Sequence, residues 1–226
     1  MSLPSPNFGE RRGGARPELI VIHYTAMADA ACARDRLCDP QAEVSAHWLV
    51  AEDGGTEQLV DEAARAWHAG AGSWRGQGDV NSRSIGIELA NPGDQPFPEP
   101  QMAALEALLG AIMARWGIPP EGVIGHSDMA PERKIDPGPR FDWRRLARQG
   151  LAVWPGQGPR IAPDPAAFAA LAAAVGYPDA PFDALLAAFR SRFRPRSVGP
   201  LDAIDMARIA DLAARFGDDG DQWRAC

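Results

Sequence analysis

Apolar and polar positions in the first 150 residues predict β-strands and helices in alternation. Residues 18–25 (ELIVIHYT) form an apolar, β-branched run of the kind found in buried strands. Ser84–Leu89 (SIGIEL) instead alternates, with its isoleucines and leucine on one face and Glu88 on the other. Shorter strands are predicted at residues 46–50, before a Gly-Gly hairpin turn, and at Val123–Gly125.

Two helices are predicted between and after these strands. Residues 100–116 repeat apolar side chains at i, i+3 and i+4, and Gly117 is the expected end of that helix. Residues 141–149 predict a closing helix with Asp142 as its N-cap. Because strands and helices are interleaved, we expect one α/β domain over residues 16–150.

The rest of the chain is predicted to be a linker and a small helical module. Prolines concentrate in residues 151–165, which predicts a semi-rigid linker. Residues 166–216 show only helical periodicity, in three short segments. A core that small is marginal, so we expect this module to pack against the first domain. Residues 1–15 and 217–226 are predicted to be an N-terminal arm and a tail.

Composition and charge exclude several classes of protein. The 226 residues are 46% apolar and 23% charged, which are ordinary globular values. With 23 basic and 30 acidic residues the formal net charge is −7, so we expect no nucleic-acid partner. No apolar run is long enough to span a membrane. The three cysteines are too few for a disulfide framework.

Two histidines and one aspartate form a candidate metal site. His23 ends a predicted strand, His126 follows another, and Asp136 comes ten residues later. Two imidazoles and a carboxylate around a tetrahedral ion leave a fourth position for water, as in catalytic rather than structural zinc sites. One Zn²⁺ per chain is therefore the expected cofactor. The alternative is that each histidine is a hydrogen-bonded residue of the core or surface.

Two more side chains complete a candidate catalytic site. Glu88 lies on the polar face of its strand beside Gly86, whose missing side chain is expected to leave room for substrate. A carboxylate in a cleft is costly to desolvate unless it is paired or functional, so Glu88 is a candidate proton carrier. Lys134, two residues before Asp136, is a candidate for stabilising an oxyanion. The alternatives are a solvent-facing glutamate and a solvated loop lysine.

Six short motifs occur in a fixed order along the first domain. They are VIHYT (21–25), SAHWLV (45–50), AWHAG (66–70), SIGIEL (84–89), GHSD (125–128) and KIDPGPRFDW (134–143). Together they resemble the zinc-dependent N-acetylmuramoyl-L-alanine amidases of the AmpD type, which are relatives of the peptidoglycan recognition proteins. The resemblance covers roughly residues 16–150, and it implies a mixed central β-sheet flanked by helices.

The resemblance also implies an activity and a ligand set. The family hydrolyses the amide bond between the lactyl group of N-acetylmuramic acid and L-alanine, in peptidoglycan or (anhydro-)muropeptides, during cell-wall recycling or remodelling. Its zinc ligands fall on His23, His126 and Asp136. Its catalytic glutamate falls on Glu88 and its transition-state lysine on Lys134. A non-catalytic peptidoglycan receptor of the same fold, or a zinc hydrolase of another amide, is the alternative.

Three further residues are candidates for contacting substrate. His47 in SAHWLV and His68 in AWHAG match family histidines that lie in the cleft rather than on the metal. A Gly-rich loop at residues 68–81 is long enough to predict a functional role. Asn81 at its end is the third candidate.

The C-terminal module loosely resembles the three-helix peptidoglycan-binding module of some of these amidases. Arg190 stands where relatives commonly have glutamine, so a purely structural appendage is the alternative. Cys32 and Cys38 match a pair that often forms a disulfide in the recognition proteins. In a reducing compartment they would be free thiols, and we interpret them as two small residues on a helix or loop.

The start of the chain contains arginines but no apolar segment, which does not resemble a secretory signal. We therefore expect a cytoplasmic protein that meets soluble muropeptides. A leader absent from this sequence would instead place the protein in the periplasm or at the cell wall, where a wall-binding module makes better sense.

Overall fold

The computed structural model of the chain describes residues 4–217. The strands are Phe8–Gly9 (β1), Leu19–Tyr24 (β2), Trp48–Val50 (β3), Thr56–Gln58 (β4), Arg65–Ala66 (β5), Ser84–Leu89 (β6) and Val123–Gly125 (β7). The helices are Ala30–Cys38 (α1), Val80–Arg83 (α2), Glu99–Trp116 (α3), His126–Met129 (α4), Trp143–Arg148 (α5), Pro165–Val175 (α6), Phe182–Phe193 (α7) and Ala203–Phe216 (α8). Of the predicted tail at residues 217–226, only Gly217 lies within the described residues.

A five-stranded sheet forms the centre of the first domain, in the order β4-β3-β6-β2-β7. Strands β3, β6, β2 and β7 are mutually parallel, and β4 returns antiparallel to β3 through a tight turn. The expected mixed sheet is therefore confirmed. Because the parallel strands end at the same edge, His23 and Glu88 at the ends of β2 and β6 lie side by side in register. Ligand sites of such sheets lie at this carboxyl edge.

The two faces of the sheet pack against different helices. Ile20 and Ile22 of β2 lie in the core beneath the long helix α3, with Leu105 and Leu109 from that helix. Leu19 and Val21 of β2 lie on the opposite face, which we call the module face. Each large apolar side chain buried in this way contributes about 1.5–3 kcal/mol.

The C-terminal helices cover the module face. Phe168 of α6, Phe189 of α7 and Ile209 of α8 are fully buried in one cluster with Leu19 and Val21 of β2. The three helices therefore share a core with the sheet instead of forming a separate one. None of the helices in residues 4–217 combines the length and apolarity needed to cross a membrane.

The two cysteines within the described residues both lie on helix α1, whose geometry decides whether they can form a disulfide. Asp29 caps this helix by accepting a hydrogen bond from the amide of Cys32 (2.8 Å). Cys32 and Cys38 are free thiols at the two ends of α1. Six residues of α-helix correspond to about 600° of rotation, so the two side chains leave the helix in different directions. A disulfide between them would require α1 to unwind.

Candidate active site

Three potential ligand atoms converge at the carboxyl edge of the sheet. Nδ1 of His23 lies 2.9 Å from Nδ1 of His126, and both lie 3.0 Å from Oδ2 of Asp136. The residues are 1%, 3% and 7% exposed. Zinc bonds of 2.0–2.1 Å in tetrahedral geometry separate the ligand atoms by about 3.3 Å, so a small relaxation admits the ion.

The backbone explains how these distant residues meet. β2 and β7 are parallel neighbours in which Ile22 pairs with Gly125. The residues that follow this pair, His23 on β2 and His126 directly after β7, therefore emerge at the same level. Asp136 returns to this point because the amide of Ser127 donates a hydrogen bond to its carbonyl oxygen (2.9 Å).

A chain of hydrogen bonds orients the ring of His23. The carbonyl of Val80 can only accept, so the hydroxyl of Ser84 donates to it (2.5 Å) and accepts from Nε2 of His68 (3.1 Å). Nδ1 of His68 then accepts from Nε2 of His23 (3.0 Å). In the neutral imidazole this leaves the lone pair of Nδ1 of His23 facing Asp136.

His126 is oriented in the same way. Its Nε2 donates to the carbonyl oxygen of Ala69 (2.9 Å), so its Nδ1 also presents a lone pair. Burial, together with the nearby His126, lowers the pKa of His23 to about 4. Burial alone would raise the pKa of Asp136, but the two imidazoles beside its carboxylate hold it well below its ordinary value. Two lone pairs and a carboxylate therefore face one point, and this donor set fits a metal ion.

The candidate ligands lie in a cleft of about 350 Å³ that Glu88 and Lys134 also line. Burial and the charge of Asp136 raise the pKa of Glu88 to about 8, while Lys134 acts in the opposite direction. Oε2 of Glu88 is buried without a hydrogen-bond partner among the described residues. A buried carboxylate with an open oxygen in a cleft is placed for proton transfer.

Further residues that line the cleft were not predicted from the sequence. Arg36 and Leu37 line it from α1, and Trp67 and Ile135 line it from loops. Trp67 lies in AWHAG beside a predicted residue. Ile135 is 71% exposed between the two predicted residues of the KID segment. In the sequence, an apolar residue between two candidate site residues is the signal that could have identified it.

The structure places His47 and Asn81 away from the cleft, which differs from the expectation that they contact substrate. His47 is fully buried; its Nδ1 accepts from the amide of Gly86 (2.9 Å) and its Nε2 lies 3.1 Å from the carbonyl of Ala64. Oδ1 of Asn81 accepts from the amides of His68 (3.0 Å) and the next residue (2.8 Å). Asn81 therefore supports the backbone of His68, which does line the cleft, whereas His47 binds the backbone of Gly86 and Ala64.

The expectation for Gly86 is corrected as well. A Cβ atom at this position would lie 2.4 Å from Cγ of His68. The space above Gly86 is therefore filled by the imidazole of His68, and none is left for substrate.

Arg190 is buried in the C-terminal module and binds other residues of that module. It is 7% exposed and forms an ion pair with Asp205 of α8. Its remaining donors bind the carbonyl oxygens of Gly199 (2.6 Å) and Pro200 (2.7 Å). These contacts hold the start of α8 and favour the structural role of Arg190 over ligand binding.

A family model and two related proteins all match this chain to the same class of amidase. The family model for N-acetylmuramoyl-L-alanine amidase matches residues 13–139. The N-acetylmuramoyl-L-alanine amidase AmiD of Escherichia coli (strain K12) is 39% identical over 237 residues, covering 90% of this chain and 85% of that protein. The 1,6-anhydro-N-acetylmuramyl-L-alanine amidase AmpD of Haemophilus influenzae is 35% identical over 161 residues, covering 63% of this chain and 88% of that protein.

A solved structure is similar over almost the whole chain. It is the complex of E. coli AmiD with its substrate anhydro-N-acetylmuramic acid-L-Ala-D-γ-Glu-L-Lys. The two chains superpose with a TM-score of 0.82 and 36% identity, covering 94% of this chain and 99% of that one. The similarity therefore includes the C-terminal helices.

Proposed function

Since this chain belongs to the N-acetylmuramoyl-L-alanine amidase family, we propose that it hydrolyses the amide bond between the lactyl group of N-acetylmuramic acid and L-alanine. The observation that supports this most strongly is the convergence of His23, His126 and Asp136 in a cleft shared with Glu88 and Lys134. A structurally similar amidase binds an anhydro-muramoyl peptide, which supports the same substrate class here.

We propose that the metal is zinc. Two imidazole nitrogens and one carboxylate oxygen are the ligand set of catalytic zinc sites with one open position. His23, His126 and Asp136 would hold the ion. Zinc at this point supplies Lewis acidity, which polarises a carbonyl and makes water acidic enough to ionise near neutral pH.

The protein side chains divide the remaining chemistry between them. Glu88 accepts a proton from the attacking water as the new C–O bond forms on the lactyl carbonyl carbon. Lys134 stabilises the negative charge on the carbonyl oxygen. Glu88 then returns the proton to the nitrogen of L-alanine as the C–N bond breaks. The products are a free lactyl carboxylate and a peptide with an L-alanine amino terminus.

Recycling of soluble anhydro-muropeptides is the setting that we propose. The expectation of a cytoplasmic enzyme stays a prediction.

The apolar wall formed by Leu37 and Trp67 fits a sugar ring or an alanine methyl group, and Arg36 fits a carboxylate of the stem peptide.

Product analysis tests the proposed function against the alternatives. The protein is incubated with an anhydro-muramoyl tripeptide, and mass spectrometry follows the products. We expect anhydro-N-acetylmuramic acid and the intact tripeptide. Binding of the intact muropeptide without cleavage would identify a receptor. Cleavage within the peptide would identify a hydrolase of another amide.

A further inference from the structure

Asp128 is a buried carboxylate that the proposed chemistry does not use. It is 1% exposed and lies two residues after His126, in the single helical turn α4. Its Oδ1 accepts a hydrogen bond from the hydroxyl of Tyr177 (2.8 Å), and its Oδ2 accepts from Nη1 of Arg192 (2.6 Å) and the amide of Gly125 (2.8 Å). Two of these three donors come from the C-terminal module, since Tyr177 follows α6 and Arg192 lies in α7.

Arg192 holds the same segment at a second point. Its Nη2 donates to the carbonyl oxygen of Val123 (3.0 Å), at the start of β7. Its guanidinium lies 4.2 Å from the centre of the Trp143 ring and 4.9 Å from that of Phe193. The side chain of Arg192 is 3% exposed. Because both charges of this ion pair are buried, removal of either partner would leave the other uncompensated.

The segment that these residues hold determines the geometry of the candidate ligands. Gly125 directly precedes His126, and its amide is tied to the carboxylate of Asp128. Gly125 also packs against Pro137, which follows the ligand Asp136; a Cβ on Gly125 would lie 2.8 Å from Cδ of Pro137. A displacement of this turn would therefore move two of the three ligands. A four-residue helix has too few internal hydrogen bonds to fix itself.

We propose that Tyr177 and Arg192 are positioning residues for His126, acting through Asp128. This inference rests on the proposed function, because it concerns the same metal site. It assigns the C-terminal module a role in the catalytic domain: the module holds the ligand-bearing turn in place at the metal site. Neither residue lines the cleft that holds the candidate ligands.

Zinc affinity of the whole protein tests this proposal. Tyr177→Phe removes one hydroxyl and retains the ring, which packs edge-on against Trp74. Direct hydrogen-bond partners of metal ligands commonly change metal affinity by 10- to 100-fold. Tyr177 acts on the ligand-bearing turn through Asp128, so we expect the zinc Kd of Tyr177→Phe to rise by the lower figure, on the order of 10-fold. We expect a larger rise for Arg192→Met. The Kd is measured by competition with a chelator of known affinity.

Asp202→Ala is the matched control. Asp202 caps α8 by accepting from the amides of Ile204 (2.8 Å) and Asp205 (3.0 Å), so its loss weakens the same module without touching Asp128. Urea unfolding of the metal-free proteins shows how much each variant is destabilised. We expect the zinc Kd of Asp202→Ala to stay within about twofold of wild type.

The outcomes separate this inference from the proposed function. A wild-type protein that binds no zinc and cleaves no muropeptide would overturn both. A wild-type protein that binds zinc would overturn the inference alone if Tyr177→Phe bound zinc equally well. An equal loss of zinc affinity in Asp202→Ala would also overturn it, because general loosening of the module would then explain the effect.

Discussion

His23 on β2 lies directly opposite Glu88 on β6, its parallel neighbour in the sheet. The two side chains project from the same face at the carboxyl edge and line one cleft. This register places a candidate metal ligand beside a candidate proton carrier. The arrangement depends on two regular strands, so it is fixed by the sheet rather than by a mobile loop.

Glu88→Gln is expected to abolish most turnover while leaving the metal site intact. Glutamine keeps the shape of the side chain but cannot accept or return a proton. General acid–base catalysis commonly contributes about 10²–10⁴-fold, so we expect kcat to fall by that factor with little change in KM. Steady-state kinetics and the metal content of the purified variant test this. Turnover close to wild type would remove Glu88 from the mechanism.

Gly86→Ala is expected to disrupt the orientation of His23. The new methyl group would collide with the ring of His68, which accepts a hydrogen bond from His23. Overpacking of this kind costs about 1–3 kcal/mol of unfolding free energy, and we expect weaker zinc binding with it. Gly110→Ala is the control, because its nearest neighbour is 4.0 Å away and alanine stabilises a helix interior. Unchanged stability and zinc affinity in Gly86→Ala would contradict this account.

The stability of the metal-free protein is expected to fall as the pH drops below 6.5. Burial lowers the pKa of His47 from 6.5 to about 3. Between these values the unfolded chain binds a proton at this residue and the folded chain does not, so acid favours unfolding by up to about 1.4 kcal/mol per pH unit. Urea unfolding at pH 7, 6 and 5 measures the slope. We expect the unfolding free energy of His47→Gln to depend less on pH than that of wild type. An equal dependence in the two proteins would show that His47 is not responsible for the acid destabilisation.

Ile135→Ser is expected to raise KM without affecting stability. Ile135 is 71% exposed, so it contributes little to the core, but it lines the cleft where a substrate would cover it. Loss of part of an apolar contact corresponds to a rise in KM of about 3- to 10-fold. Val198→Ser is the control, because Val198 is 90% exposed and does not line the cleft. Equal KM values for the two variants would argue against a substrate contact.

The strands and helices with strong patterns were predictable from the sequence. The run at residues 18–25 became β2, and the alternation of Ser84–Leu89 became β6. Asp142 caps α5, and Gly117 ends α3 with a φ of 70°. In each case a local rule was sufficient, because periodicity or backbone conformation decides the outcome.

The remaining elements lacked such a pattern. Helix α1 buries only Ala33 and Leu37, which gives too narrow an apolar stripe to recognise. The ribbon of β1 and β5 has two residues in each strand, so no alternation can be read from it.

Sequence could not distinguish a histidine that contacts substrate from one that binds backbone amides, as His47 does. The pairing of Tyr177 with Asp128 spans 49 residues and depends entirely on tertiary packing.

Metal content measured together with turnover decides whether the protein is a zinc-dependent amidase. Elemental analysis of the purified protein is paired with hydrolysis of an anhydro-muropeptide before and after treatment with a chelator. We expect one zinc per chain, activity that is lost with the metal and recovered with added Zn²⁺, and products bearing free L-alanine amino termini. A folded protein that binds no metal, or one that hydrolyses the substrate equally well after the metal is removed, would contradict it.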